Sequence, residues 1–412
     1  MASYLRPDVV AMKAYAPGEQ INDATKLNTN ECAWGPAPGV LKALAATTID
    51  QLRLYPSPLA DRVRNAAADV FEVDAEQVLV GNGSDDCLTV VMRSFLGPGD
   101  VVACPWPTYS LYDTLATIQG VEIRHAAWVE EPDGGGEPGN GATGWHLPIN
   151  ELLASGAKVV FVASPNNPSA TLVPLAELEL LASKLKGILV VDEAYIDYAT
   201  KRDGSPAGLS ASFIPLLSKH PNVLVLRTFS KSYSMAGAVS THAPPPAPPP
   251  APPARPVRLL CSRPCLCAQR LGLMFASPEL INHMNKVKDS YNVNSMTQIA
   301  GEAALLDRTY WDWLVRSTIT EREWLLEECK QFGWSYPKTD ANFVLFDLGS
   351  ASKAEYVYAG LKKQGLLVRY WGSRPDLCSK LRVTVGTRES NERFVSLVTG
   401  LLAEQDNKRQ KK

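Results

Sequence analysis

Two residues in the middle of the chain, Asp192 and Lys231, come at or just after the end of short apolar runs, ILVV and NVLVL. If these runs are parallel strands, their carboxyl ends meet at one edge of a sheet, so we expect the two side chains to lie close together. A lysine amine can bond to an aldehyde and carry a proton, and a carboxylate can keep a ring nitrogen protonated. Chemistry based on pyridoxal phosphate requires both groups, together with donors to its phosphate and phenol oxygens.

The elements that must position these residues alternate along the chain. Five apolar runs, VLVG, VVACPW, KVVFVA, ILVV and NVLVL, are separated by segments of helical pattern. Runs such as ILVV are apolar on both faces, which is typical of parallel strands covered by helices on each side. The sequence therefore predicts a doubly wound α/β fold in which helices, sheet and helices form three layers, αβα.

A change of pattern after Leu271 divides the chain into predicted units. Long helical segments follow it, and then come three strand-like runs, NFVLFDL, LLVRYW and LRVTVG. We expect a large domain at residues 39–280 and a smaller α+β domain at residues 281–412, joined by an amino-terminal arm at residues 1–38. The Gly-rich segment at residues 130–144 predicts an exposed loop.

Composition limits the classes of function and partner. The 412 residues have a formal net charge of −2, so we expect no nucleic acid and no anionic membrane as partner. No window approaches the ~20 apolar residues of a membrane helix, and the opening residues show no targeting pattern. The cysteines in the body of the chain lack ligand spacing, so we expect no metal and a reducing compartment. We expect this compartment to be the cytoplasm, or the plastid stroma if a transit peptide is missing from this chain.

Four motifs, in this order, carry a resemblance to a known family. SPNNP, VVDEAYIDY, RTFSKSYSMAG and LRVTVGTRES resemble fold-type-I aminotransferases, and the set looks most like the histidinol-phosphate aminotransferases. The resemblance covers nearly the whole chain. It implies a homodimer with pyridoxal 5'-phosphate that transfers an amino group between L-histidinol phosphate and 2-oxoglutarate in histidine biosynthesis. The segment NECAWGP departs from the usual NENPYGP of the family.

The resemblance implies roles around the cofactor ring for five residues. Lys231 would bond to the cofactor, Asp192 would contact the ring nitrogen, and Tyr195 would contact the phenol oxygen. Asn167 would share the phenol oxygen with Tyr195, and Tyr109 would stack on the ring face. Lys231, Asp192 and Tyr195 are the predicted catalytic residues.

A second group of residues is implied at the cofactor phosphate. Ser84 and Asp85, at a turn that enters a helix, would offer donors to it. The same role is implied for Ser230 and Arg270, and for Tyr55 acting on the phosphate of the neighbouring subunit.

A third group is implied at the substrate. Arg382 would grip a carboxylate through two hydrogen bonds, and Arg369 and Tyr15 would join it around the phosphate of histidinol phosphate. Asn30, next to Glu31, lies in the segment that would close over the substrate. Taken alone, each of the two arginines could instead belong to an ordinary surface ion pair.

Other functions fit the same motifs. An aromatic or other amino-acid aminotransferase, or a threonine-phosphate decarboxylase, belongs to the same superfamily. A non-enzymatic alternative is an inactive product with a Pro-rich binding arm.

The Pro-rich segment at residues 239–269 interrupts the family pattern. In the family, the lysine and the phosphate-binding arginine lie eight residues apart, whereas Lys231 and Arg270 lie 39 apart. Removing these 31 residues restores the spacing of eight. The segment is either a retained intron that stayed in frame or a natural polyproline arm for an SH3-like partner. Its three cysteines, Cys261, Cys265 and Cys267, lack a second ligand pair for a metal.

Deletion of residues 239–269 should tighten cofactor binding. Closing a loop of this size costs about 3 kcal/mol, which a large domain can tolerate. Its position is the greater problem, because the loop re-enters the fold just before Arg270. Cofactor titrations of both forms, followed by absorbance, test this prediction, and equal dissociation constants would contradict it.

Overall fold

The computed structural model describes residues 4–12, 18–21, 23–132, 143–201, 203–236 and 270–410. Tyr15 and the segment 239–269 lie outside these residues. The described strands are β1 Thr25–Leu27, β2 Val78–Gly81, β3 Val101–Trp106, β4 Glu122–Ala127, β5 Val129–Pro132, β6 Thr143–His146, β7 Val159–Ala163, β8 Ile188–Asp192, β9 Val223–Thr228, β10 Gly272–Phe275, β11 Phe343–Asp347, β12 Leu366–Tyr370 and β13 Lys380–Thr384. The described helices are α1 Pro7–Ala11, α2 Pro38–Ala45, α3 Ile49–Arg53, α4 Asp61–Phe71, α5 Ser84–Phe95, α6 Leu111–Gln119, α7 Ile149–Ala154, α8 Leu175–Lys184, α9 Pro278–Met284, α10 Ser295–Leu306, α11 Arg308–Cys329, α12 Ala351–Lys363 and α13 Arg388–Gln410.

Seven strands form the large sheet in the order β2-β10-β9-β8-β7-β3-β4. Strand β10 is antiparallel to both of its neighbours, β2 and β9, and the other strands run parallel to one another. The sequence predicted five of these strands. It missed β4, which is an edge strand with mostly exposed residues, and β10, which follows the Pro-rich segment.

Helices cover both faces of this sheet, because its central strands are apolar on both sides. Along β7, Val160 and Val162 belong to one buried cluster, and Val159 and Phe161 belong to a separate one on the opposite face. β-Branched residues are favoured in such strands because they pack well on a pleated surface. The predicted α/β class is therefore confirmed.

A second sheet of four strands, in the order β1-β12-β13-β11, has its own buried cluster. Strand β1 belongs to the amino-terminal arm and pairs in parallel with β12, with Thr25 opposite Leu366. Helix α10 lies beyond residue 280 in the sequence, but Ala300 and Leu305 on it pack in the core of the large sheet. The domain limits given above stay predictions.

The Gly-rich segment that was expected to form a loop contains a hairpin at its ends. Strands β5 and β6 pair antiparallel, with Val129 opposite His146. Residues 133–142 between them lie outside the described residues. Within the described chain, no helix combines the length and the apolar character needed to cross a membrane.

A close approach of backbones fixes the amino-terminal end of α5 against the large sheet. A Cβ atom added to Gly272, the first residue of β10, would lie 2.5 Å from the Ser84 backbone nitrogen. Gly83, just before α5, has a φ of 87°, which favours glycine. Both glycines allow the start of β10 to meet the start of α5, beside the carboxyl ends of the parallel strands.

Candidate active site

A cavity of about 190 Å³ lies at the carboxyl edge of the large sheet and reaches the small sheet. Twelve of the fourteen site residues predicted from the sequence line it. The other two are Tyr15, which lies outside the described residues, and Tyr55, which is 83% exposed and stacks on Tyr291.

Asp192 ends β8, and only 5% of it is exposed. Its carboxylate accepts hydrogen bonds from the Tyr112 hydroxyl at 2.9 Å and from the Ala194 backbone N–H at 3.2 Å. Burial raises the pKa of Asp192 to about 6, and these hydrogen bonds oppose the rise only in part. A buried carboxylate in a cavity wall is suited to hold a protonated nitrogen.

Lys231 lies in the turn after β9 and lines the same cavity. Its Nζ atom is 5.5 Å from the centroid of the Tyr195 ring. The structure thus brings Lys231, Asp192 and Tyr195, which the sequence singled out for catalysis, to one cavity.

A buried ionic cluster supports the turn that carries Lys231. The Arg227 guanidinium contacts Asp197 at 2.5 Å and Glu193 at 3.2 Å. The hydroxyl of Ser232, next to Lys231, donates to Asp197 at 2.5 Å. The sequence analysis missed this cluster, although Glu193 and Asp197 lie in the DEAYID motif and Arg227 precedes TFSK.

Hydrogen bonds from distant parts of the sequence orient the side chains of two further predicted residues, Asn167 and Tyr195. Asn167 accepts a hydrogen bond at its Oδ1 from Arg382 at 2.6 Å, and the same arginine donates to the Asn28 carbonyl at 2.7 Å. The Tyr195 hydroxyl accepts a hydrogen bond from Asn30 Nδ2 at 3.1 Å. Asn30 is 1% exposed.

The start of α5 forms another wall of the cavity. Arg270 contacts the Asp85 carboxylate at 2.5 Å, and the Tyr109 hydroxyl donates to the other oxygen of this carboxylate at 3.4 Å. Ser84 and Ser230 line the cavity beside them. Backbone N–H groups at the start of a helix, with an arginine beside them, are suited to bind a phosphate.

Arginines of the small sheet line the cavity as well. Arg369 on β12 and Arg382 on β13 are direct cross-strand partners. The sequence missed Trp371 and Arg374 in the loop between these strands, both of which line the cavity. Arg374 lies 4.5 Å from the centroid of the Trp106 ring. The sequence signal for these two residues was the run RYWGSR, which follows directly after an apolar run and so lies at an edge of the sheet.

The donor set of the cavity fits pyridoxal phosphate on structural grounds. The wall contains a buried carboxylate for the ring nitrogen, an amine for the aldehyde, and a helix start with an arginine for the phosphate. These groups satisfy the demands that this cofactor makes on a protein.

The fold and this set of residues define an aminotransferase that depends on pyridoxal phosphate. The chain belongs to the family of class I and II aminotransferases, whose model matches residues 22–398.

Relatives within this family share a more specific name. The chain is 36% identical to histidinol-phosphate aminotransferase 1 of Trichormus variabilis, over 98% of this chain and 100% of that protein. It is 34% identical to histidinol-phosphate aminotransferase of Synechocystis, over 96% of this chain and 98% of that protein.

Solved structures share the fold. Histidinol-phosphate aminotransferase from Sinorhizobium meliloti, in complex with pyridoxal-5'-phosphate, matches with a TM-score of 0.76 at 21% identity, over 98% of both chains. A mutant aspartate aminotransferase of Thermus thermophilus matches with a TM-score of 0.71 at 19% identity, over 96% of this chain and 99% of that chain.

The raised pKa of Asp192 predicts that the free energy of unfolding of the cofactor-free protein depends on pH. The ordinary pKa is 3.8 and the folded one is about 6. As the pH rises from about 4 to about 6, the unfolded chain releases a proton that the folded chain retains, so the free energy of unfolding falls. Asp192→Asn should remove this fall, which amounts to about 3 kcal/mol at most.

Urea unfolding of the cofactor-free protein across this pH range measures the effect. Asp100→Asn is the matched control. Hydrogen bonds from the Gly97 N–H and from Lys158 lower the pKa of Asp100. Its contribution to the free energy of unfolding therefore rises with pH, opposite to that of Asp192. The same pH dependence in the wild type and in Asp192→Asn would contradict the prediction.

Proposed function

We propose that this aminotransferase acts on L-histidinol phosphate and 2-oxoglutarate, yielding imidazole-acetol phosphate and glutamate. One observation carries the proposal: Arg369 and Arg382 are cross-strand partners that line the cavity of Lys231. Two guanidinium groups in one cavity wall form a positively charged surface that is suited to bind an anionic substrate group. Histidinol phosphate and 2-oxoglutarate both carry such groups, and the names of the relatives support the choice.

We assign the cofactor ring contacts as the resemblance implied. Lys231 would hold the cofactor covalently and move a proton at the substrate carbon that bears the amino group. Asp192 would keep the ring nitrogen protonated. Asn167 and Tyr195 would donate to the phenol oxygen, and Tyr109 would pack on the ring. When bound, the cofactor supplies a sink for the electron pair of the bond that breaks.

The phosphate contacts are assigned to the start of α5. The backbone N–H groups of Ser84 and Asp85, the Ser230 hydroxyl and the Arg270 guanidinium would hold it. Because the Asp85 carboxylate pairs with Arg270, we assign Asp85 a role through its backbone rather than its side chain. Tyr15 keeps its proposed role at the substrate phosphate, by resemblance alone.

A comparison of substrates tests the proposed function. Steady-state kcat/KM with 2-oxoglutarate should be higher for L-histidinol phosphate than for L-phenylalanine. Arg369→Ala should lower kcat/KM for histidinol phosphate by about 10- to 100-fold, the value of a lost charged hydrogen bond, and should change the phenylalanine rate little.

Controls separate the reaction from its substrate. Lys231→Ala should abolish both reactions and the adduct trapped by borohydride. Lys286→Ala, on the exposed surface, should change neither. A preference for phenylalanine, or release of carbon dioxide from threonine phosphate, would contradict the proposed substrate.

We also propose that the protein is a homodimer. An exposed apolar surface formed by Ile49, Leu52, Leu54 and Tyr55 lies on and after α3, and these residues are 55–83% exposed. Contiguous apolar patches of this kind mark interaction sites. A second copy would cover the patch and bring Tyr55 towards the phosphate site of its neighbour.

Two lysine substitutions test the dimer. Ile49→Lys with Leu52→Lys should convert the protein to a monomer in sedimentation equilibrium, because the charges cannot be buried without partners. Leu180→Lys, at a residue that is 42% exposed on α8, is the control and should leave the mass unchanged. A monomeric wild type would refute the proposal.

The remaining assignments concern location and organisation. We propose a reducing compartment, the cytoplasm or the plastid stroma, supported by five free cysteines among the described residues. Small-molecule substrates are the proposed partners, without nucleic acid. The limits 1–38, 39–280 and 281–412 are kept as proposed units, with α10 packed on the large one.

A further inference from the structure

We propose that Asn30 is a positioning residue that makes the Tyr195 hydroxyl a hydrogen-bond donor towards the phenol oxygen of the cofactor. Thr384 of the small sheet would fix the orientation of Asn30. The sequence placed Asn30 at the substrate, and this inference gives it a different role. It rests on the proposed contact between Tyr195 and the cofactor.

Asn30 lies in a buried, constrained position between β1 and α2. Its φ of 55° is in the left-handed region, which asparagine adopts more readily than most residues. The Asn30 carbonyl accepts a hydrogen bond from Asn342 Nδ2 at 3.2 Å. The backbone of Asn30 is therefore held independently of its side chain.

The hydroxyl of Thr384 favours one orientation of the Asn30 amide. This oxygen accepts the Asn30 backbone N–H at 3.0 Å, and it also lies 3.0 Å from Asn30 Oδ1. A hydroxyl has one proton to donate. Since Asn30 Oδ1 can only accept, that proton goes to Oδ1, and the amide nitrogen then lies on the side of Tyr195. A reversed amide would leave this proton without an acceptor in Asn30.

The amide nitrogen in turn determines the role of Tyr195. Asn30 Nδ2 donates to the Tyr195 hydroxyl oxygen at 3.1 Å. The hydroxyl proton therefore cannot be directed at Asn30, and Tyr195, which lines the cavity, can donate it there. If the Asn30 amide were reversed, its oxygen would accept the tyrosine proton, and the cofactor would lose a donor.

Strand β13 thereby acts on both proposed donors to the phenol oxygen. Thr384 acts on Tyr195 through Asn30, and Arg382 bonds directly to Asn167 at 2.6 Å. Residues 382 and 384 are two apart on one strand, so they project from the same face of the sheet.

The test uses holoenzyme without substrate, so that it does not depend on which substrate the enzyme takes. A donor to the phenol oxygen favours its anionic form and lowers the pH at which the bound chromophore loses its proton. The measurement is the pH midpoint of the visible absorbance change. Asn30→Asp, which presents only acceptors to Tyr195, should raise the midpoint by about one pH unit.

A double-mutant cycle separates this route from the direct effect of the new charge. In a Tyr195→Phe background, Asn30→Asp should produce less than half of the shift that it produces alone. Equal shifts in both backgrounds would overturn the inference while leaving the proposed role of Tyr195 intact. If Tyr195→Phe alone does not raise the midpoint, both the role of Tyr195 and the inference are overturned.

Neutral substitutions at two positions provide further checks. Thr384→Val should raise the midpoint and Thr384→Ser should restore it, because only the hydroxyl fixes the amide. Asn342→Ser loosens the Asn30 backbone without reversing its amide, so it should lower the urea midpoint but leave the pH midpoint unchanged. A pH shift in Asn342→Ser as large as that in Thr384→Val would assign the effect to loosening and overturn the inference.

Discussion

The burial of one carboxylate, that of Asp192, is the constraint on which the site depends. The strand that carries it is covered on both faces, so water is excluded and the charged form is disfavoured. Tyr112 on α6 and the backbone N–H of Ala194, just after β8, hold this group at the edge of the large sheet through hydrogen bonds. Among the charges of the protein, Lys231 stabilises the Asp192 carboxylate only in part. A cationic ring nitrogen in the cavity would supply the positive charge that balances this carboxylate.

Around this carboxylate, the large and small sheets contribute different kinds of group. The large sheet provides Asp192, the turn with Lys231 and the start of α5. The small sheet contributes guanidinium groups and the hydroxyl of Thr384. Charges on the small sheet therefore meet the side of the cavity where we place the substrate. On the proposed assignments, any movement of that sheet would alter both the substrate contacts and the hydrogen bond from Asn30 to Tyr195.

Sequence patterns predicted the part of the site that depends on local order along the chain. Asp192 and Lys231 could be placed because each follows an apolar run whose strands lie side by side in a parallel sheet. The contacts of Asn30 with Thr384 could not be predicted, because 354 residues separate the two residues and no sequence periodicity indicates such a pairing. Strand β4 was missed for another reason: its residues are mostly exposed at the edge of the sheet, so it lacks the apolar run of a central strand.

The position of β13 in the small sheet has a consequence for how the enzyme matures. This strand lies between β12 and β11, and it carries Arg382 to the cavity and Thr384 to Asn30. Most other groups of the cavity, among them Asp192 and Lys231, come from much earlier in the chain. A nascent polypeptide that has left the ribosome only as far as residue 370 has its large sheet complete but lacks these two contacts. The large sheet can thus form during translation, whereas the finished pocket must await release of the last strand.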